Sequence, residues 1–152
     1  MTALFIKCSP LVRHVLEHEF PDGHLSKGSL IGLYIIGLLS RSAAPYKRRA
    51  HRPEGNFKLI ISGSCRRRYG RWLGEEKCSE LNSYISKVTR EKLRQAITTF
   101  LMFDPNMLRA IKYAREMFNI PEEVYADDAL KRDYIRWRHK SGAGTRIYQK
   151  SV

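Results

Sequence analysis

The stretch LNSYISKVTREKLRQAITTFL at residues 81–101 decides the fold class of this 152-residue chain. Its apolar residues recur every three or four positions, so they share one face of a helix. Thr89 lies between two apolar groups and offers either a helix cap or a continuation. The first group is Leu81, Tyr84, Ile85 and Val88, and the second is Leu93, Ala96, Ile97, Phe100 and Leu101. We therefore predict that the chain from Glu75 onward is helical.

Two more helices are predicted after this stretch. Asp104-Pro105 supplies an N-cap and a first-turn proline, and Asn119-Ile120-Pro121 ends the helix that follows. The last helix begins near Ala126-Asp127 and ends at Gly142-Ala143-Gly144, with residues 142–152 as a mobile tail. The apolar stripes expected to face the core are Leu108, Ile111, Ala114 and Phe118, then Leu130, Tyr134 and Trp137.

Two helices are predicted in the N-terminal half, residues 1–74. Ser9-Pro10 is typical of a helix start, and Phe20-Pro21-Asp22-Gly23 ends that helix in a turn. The apolar run from Leu30 to Leu39 favours a second helix, with Ser26 or Ser29 as its cap.

Two strands and two loops complete this half. Residues 4–7 and 56–62 read as short strands that could pair, with Phe57, Leu59 and Ile61 on one side of the second. The segments from Ser40 to Gly55 and from Gly63 to Gly74 are predicted to be basic loops.

The predicted fold class is therefore α+β and mainly helical, as a single domain over residues 1–152. A small two-strand and helix part over residues 1–74 packs on a three- or four-helix bundle over residues 75–141. The bundle ends in a helix-turn-helix-like pair, although the break at residues 119–125 exceeds the usual turn of that motif.

Three cysteines, Cys8, Cys65 and Cys78, form neither a CxxC pair nor an even disulfide set. This pattern favours reduced thiols and a cytoplasmic location, without a cofactor. The apolar run from Leu30 to Leu39 is about half the length that a membrane span needs, so no membrane partner is expected.

Positive charge is concentrated in two segments, which points to a polyanionic partner. Residues 41–71 hold ten basic residues against one acid, and residues 130–152 hold seven against one. The net charge of +13 and pI near 10 make nucleic acid the first partner to consider, DNA ahead of RNA.

The first basic segment predicts a phosphate-binding surface. Arginines would neutralise phosphate, and aromatic residues could stack on bases. The residues proposed for this role are Lys47, Arg48, Arg49, Arg52, Arg66, Arg67, Arg68, Tyr69, Arg71 and Trp72. The alternative is a solvated loop whose aromatics cover the core.

The last helix is the candidate recognition helix. Arg132 and Arg136 share a face with either His139 or Lys140, while Lys131 and Arg138 lie on another side. Arginine suits this task because its planar fork can grip a phosphate or a guanine edge. The alternative is a solvated helix with no partner.

Three further patterns suggest other functions. His14-x-x-Glu17-His18 matches the inverted zinc-protease motif, with Glu75, Glu76 or Glu80 as a further ligand. Tyr134 near Arg136 and His139 faintly resembles a tyrosine recombinase site. An assembly protein could instead bury a partner helix against Leu30 to Leu39, and a homo-oligomer is possible.

The segment from Tyr84 to Lys140 resembles small, basic proteins of bacterial phages and other mobile elements. The resemblance rests on Tyr84-Ile-Ser86, Leu93 to Phe100, Phe118-Asn-Ile120 and Tyr134-Ile-Arg-Trp-Arg138. It implies a role on a mobile element and assigns no role to single residues. We therefore expect a non-enzymatic DNA-binding protein, with an RNA-binding or ribonucleoprotein component as the alternative and a zinc hydrolase as a third.

Overall fold

The computed structural model describes residues 2–41, 55–69 and 73–142, apart from the side chains of Arg41 and Tyr69. These residues form six helices and one two-stranded sheet, which confirms the predicted mainly helical α+β class. The strands are β1 (Thr2–Ile6) and β2 (Phe57–Ile61), and the helices are α1 (Pro10–Glu19), α2 (Leu30–Arg41), α3 (Gly63–Tyr69), α4 (Glu75–Phe103), α5 (Met107–Met117) and α6 (Asp127–Lys140).

The chain divides into two compact units, Met1–Val88 and Thr89–Val152, and α4 belongs to both. The charge pattern placed the change of character at residue 75. The first turns of α4 nevertheless contribute Cys78, Leu81 and Ile85 to the core of the first unit.

The sheet of the first unit pairs β1 and β2 antiparallel, with Leu4 opposite Leu59 and Ile6 opposite Phe57. Leu4, Ile6, Phe57, Leu59 and Ile61 are all buried, as the predicted alternation in β2 requires. The first strand begins two residues earlier than its pattern predicted, because its pairing extends to Thr2 opposite Ile61.

Serine caps start both N-terminal helices. The Ser9 hydroxyl accepts a hydrogen bond from the Val12 amide, and the Ser29 hydroxyl accepts one from the Gly32 amide at 2.9 Å. A Cβ on Gly32 would lie 1.8 Å from the Ser26 carbonyl oxygen, so only glycine fits there. This close approach explains a glycine in the first turn of an otherwise apolar helix.

The prediction of a loop from Gly63 to Gly74 is wrong for its first part, because residues 63–69 form α3. The Ser62 hydroxyl accepts a hydrogen bond from the Cys65 amide at 3.2 Å, and the Ser62 carbonyl accepts one from Arg66 at 3.0 Å. Ser62 therefore acts as an N-cap, and burial of Cys65 anchors the helix. The arginine run concealed this cap signal.

In α4 the chain continues through Thr89 as one 29-residue helix, so the continuation is correct. The N-cap of α5 is Asn106, two residues after the predicted Asp104. The Asp104 carboxylate instead accepts a hydrogen bond from the Asn106 amide at 3.0 Å. The expected burial of Leu108 is wrong, because the side chain is 59% exposed.

The connection between α5 and α6 spans residues 118–126. Asn119 adopts a left-handed conformation with φ of 51°, and the amides of Asn119 and Ile120 donate to the carbonyls of Glu116 and Arg115. This is a Schellman ending, which confirms the predicted break after α5. The connection is longer than the three- or four-residue turn of a compact helix-turn-helix.

Candidate nucleic-acid interface

The solvent face of α6 carries the predicted row of cations. Arg132, Arg136 and Lys140 are exposed at four-residue steps, while Leu130 and Tyr134 are buried on the other side. The Arg132 side chain also donates to the Asp128 carbonyl at 3.3 Å, which holds it along the helix. Lys131 and Arg138 lie elsewhere on α6 and are half-buried, as their different face requires.

One carboxylate of α6 is bound by an arginine from α4. The Arg94 guanidinium donates two hydrogen bonds to Asp133, at 3.1 and 2.9 Å, in a two-pronged arrangement. The same guanidinium pairs with Glu91 at 3.1 Å and lies 5.8 Å from the centre of the Trp137 ring. Asp133 therefore does not neutralise the basic face of its own helix.

A second carboxylate of α6 is bound by an arginine from α5. Arg115 is buried, with only 8% of its surface exposed, and its guanidinium pairs with Asp127 and donates to the Ile120 carbonyl. This arginine ties the start of α6 to the end of α5. Asp127, predicted only to oppose the helix dipole, also forms this ion pair.

Packing fixes the rotation of α6 about its axis. The Tyr134 hydroxyl shares a hydrogen bond with Thr98 of α4 at 3.0 Å, and its ring lies 5.7 Å from that of Trp137. Because Tyr134 is only 2% exposed, its hydroxyl is not open to a phosphodiester as a recombinase nucleophile would need. The recombinase-like interpretation is therefore wrong, and Tyr134 aims the opposite face toward solvent.

The arginines of α3 form the second cationic group. Arg66, Arg67 and Arg68 are exposed, whereas Cys65 beside them is buried at 4% exposure. The Arg66 guanidinium donates to the Thr2 hydroxyl at 3.2 Å, which links it to the start of β1. These three cations belong to the first unit, whereas those of α6 belong to the second, so their convergence stays a prediction.

The remaining predicted binding residues lie outside the described residues, as does the predicted tail from residue 143 onward. They are Lys47, Arg48, Arg49, Arg52, Arg71, Trp72 and the side chain of Tyr69. The two described clusters are therefore called the α3 cluster (Arg66, Arg67, Arg68) and the α6 face (Arg132, Arg136, Lys140).

The zinc-motif residues lie on α1. Glu17 accepts a hydrogen bond from Arg13 at 2.7 Å, and the suggested ligand Glu80 accepts from Tyr34 and Lys77. In the described parts of the chain, no three His, Cys, Asp or Glu side chains gather as a metal site. The ligand set proposed around His14 and His18 is therefore not assembled among these residues.

All three cysteines are free and buried. Cys8 and Cys78 line one pocket of about 440 Å³ in the first unit. Burial, and then the neighbouring Cys78, raise the pKa of the Cys8 thiol to about 12. A thiol held neutral in this way is a poor nucleophile, so this pair carries no thiolate chemistry near neutral pH.

Two other predictions concern apolar surfaces. Ile35, Leu38 and Leu39 are buried in the core of the first unit, so much of the apolar run of α2 is used internally and not by a partner helix. No helix in the described ranges combines the length and apolarity that crossing a bilayer requires.

Sequence analysis missed Arg94 and Arg115, the two arginines that orient α6. The spacing of Glu91 and Arg94 hinted at a helix pair, but nothing in the sequence marked Asp133, 39 residues away, as the main partner. The chain matches no protein-family model, and no curated protein or solved structure is significantly similar to it.

Proposed function

We propose that this protein binds nucleic acid without catalysis, duplex DNA in the first place, through the α6 face. One observation carries the proposal: three exposed cations share one side of α6, while Asp127 and Asp133 of the same helix are bound by arginines of α5 and α4. The face is thereby left with positive charge that neither of these two acids cancels at close range.

The dimensions of α6 suit the major groove. From Arg132 to Lys140 the helix rises about 12 Å, which is comparable to the width of that groove in B-DNA. Arg136 lies at the middle of the row and is exposed, so it is positioned to reach a base edge. Arg132 and Lys140 would then contact phosphates on either side.

Rigidity of the supporting side supports the same function. A helix that reads DNA must present a defined face, because a small rotation about its axis moves every contact. The Arg94–Asp133 and Arg115–Asp127 pairs and the Tyr134–Thr98 hydrogen bond restrain that rotation from two neighbouring helices.

The α3 cluster would act as a phosphate clamp. Three consecutive arginines point into solvent from a short helix that Cys65 anchors, which suits contacts to a backbone rather than to base edges. The connection between α5 and α6 means that any helix-turn-helix-like docking would use a longer loop than the compact motif.

The test is a fluorescence-anisotropy titration with duplex DNA, single-stranded DNA and structured RNA over a range of salt concentrations. We expect duplex DNA to bind most tightly, with affinity that falls as salt rises because counterions are released. Arg136→Ala should relax preference at one base position, a cost of about 1–3 kcal/mol.

Lys112→Ala is the matched control, because Lys112 is an exposed cation of the same unit on α5. It removes the same charge and should leave binding nearly unchanged. Equal losses for both variants would mean that net charge alone is responsible. Tightest binding to structured RNA would favour the ribonucleoprotein alternative, and no binding to any of the three at low salt would refute the proposal.

A further inference from the structure

The outer side of α5 is unusually apolar for a surface helix. Three of its residues, Leu108, Tyr113 and Met117, are 59%, 47% and 63% exposed. At the end of α4, in the same unit, Met102 and Phe103 are 74% and 85% exposed. Exposed apolar residues that cluster in this way mark an interaction surface more often than scattered ones do.

Contacts within the unit connect these residues into one patch. The Tyr113 ring lies 5.4 Å from the Phe100 ring of α4, with an angle of 42° between the planes. Phe103 lies three residues after Phe100, on the same side of α4. Tyr113 is thus held in place beside a second exposed aromatic residue.

The charges on this face have opposite signs at its two ends. Arg109 lies near the start of α5 and Glu116 lies near its end, both exposed, with Tyr113 between them. They are separated by about 10 Å along the helix axis and point in nearly the same direction. A face with this arrangement is complementary to itself when it is turned end to end.

We propose that this face, called the α5 face (Arg109, Tyr113, Glu116 and Met117), docks a second copy of the same chain. The two α5 helices would run antiparallel about a two-fold axis, so that each contact occurs twice. Arg109 of one copy meets Glu116 of the other, and the two Tyr113 rings meet near the axis. The proposal commits to self-association because the complementary charges are on one and the same face.

The size of the face sets the strength of the dimer. α5 has 11 residues and is about 16 Å long, so the interface is at the small end for specific contacts. The dimer should therefore form in a concentration-dependent manner and exchange with monomer.

The experiment is sedimentation velocity on the full chain, freed of nucleic acid, from low to high micromolar concentration. We expect wild type to shift from monomer to dimer. Glu116→Arg places two arginines against each other and should raise the dimer dissociation constant by about tenfold or more. Arg109→Glu should do the same, and the double variant R109E/E116R should return close to wild type.

Lys112→Glu is the control, since it reverses a charge of the same helix on the edge of the face and should not weaken the dimer. Arg109 also pairs with Asp104 at 3.4 Å, so Glu116→Arg, checked for helix content by circular dichroism, carries the test if Arg109→Glu is unstable. A monomer at every concentration, a dimer insensitive to Glu116→Arg, or a stable double variant no better than E116R alone would overturn the proposal. These outcomes are independent of nucleic-acid binding.

Discussion

The ion pair between Arg94 and Asp133 should be one of the main contributions to the stability of the second unit. Its two hydrogen bonds are 3.1 and 2.9 Å long, and the side chains of Arg94 and Asp133 are only 18% and 22% exposed. Exposed pairs contribute about 0–1 kcal/mol, and breaking a fully buried pair costs about 3–5 kcal/mol. For this intermediate burial we expect Asp133→Ala to lower the free energy of unfolding by about 2 kcal/mol, or Tm by about 4–8 °C.

A double-mutant cycle isolates the pair from the other contacts of Arg94. Arg94→Met, Asp133→Ala and the double variant are unfolded in urea, and circular dichroism follows the loss of helix. We expect a coupling energy of about 1–2 kcal/mol, because the single variants each leave a partly buried charge without its main partner.

The control is the same cycle on Arg13 and Glu17 of α1. That pair is shorter, at 2.7 Å, but its side chains are 52% and 49% exposed, so we expect no resolvable coupling. A coupling for Arg94 and Asp133 no larger than that of the control would refute the argument that burial, rather than distance, sets the contribution.

Three further predictions concern binding, packing and pH. Alanine at the three arginines at 66–68 should weaken binding to all sequences and flatten the salt dependence, with the slope reduced by about one for each phosphate that an arginine no longer neutralises; an unchanged slope would exclude the phosphate clamp. Gly32→Ala should cost about 1–3 kcal/mol in urea unfolding, because its Cβ would overlap the Ser26 carbonyl oxygen, whereas Gly37→Ala, with open space around it, should be neutral or stabilising. Because the pKa of Cys8 is raised from 9.0 to about 12, the unfolded thiol ionises first, so stability should fall as pH rises from 9.0 toward 12; urea unfolding of wild type and Cys8→Ala should show a shallower fall in the variant.

Side chains with local partners could be assigned from sequence, and those with distant partners could not. The rows of cations at residues 66–68 and along α6 followed from spacing alone, and they are exposed as expected. By contrast, Leu108 was expected inside because it fits a three-four spacing, yet it lies on the outer side of α5. Spacing defines a stripe but not its width, and the start of α5 at Asn106 turned that side toward solvent.

The sequence by itself determined the mainly helical class, the two short strands and the start of α1 at Ser9-Pro10, because caps, turns and periodicity act between residues close in the chain. Tertiary structure decided that residues 63–69 coil into α3, where burial of Cys65 outweighs the repulsion of three arginines. It also decided that Asp127 and Asp133 turn away from the α6 face toward arginines 12 and 39 residues distant. Ion pairs of that kind depend on which helices are neighbours in space, and neighbours in space are set by packing rather than by any pattern along the chain.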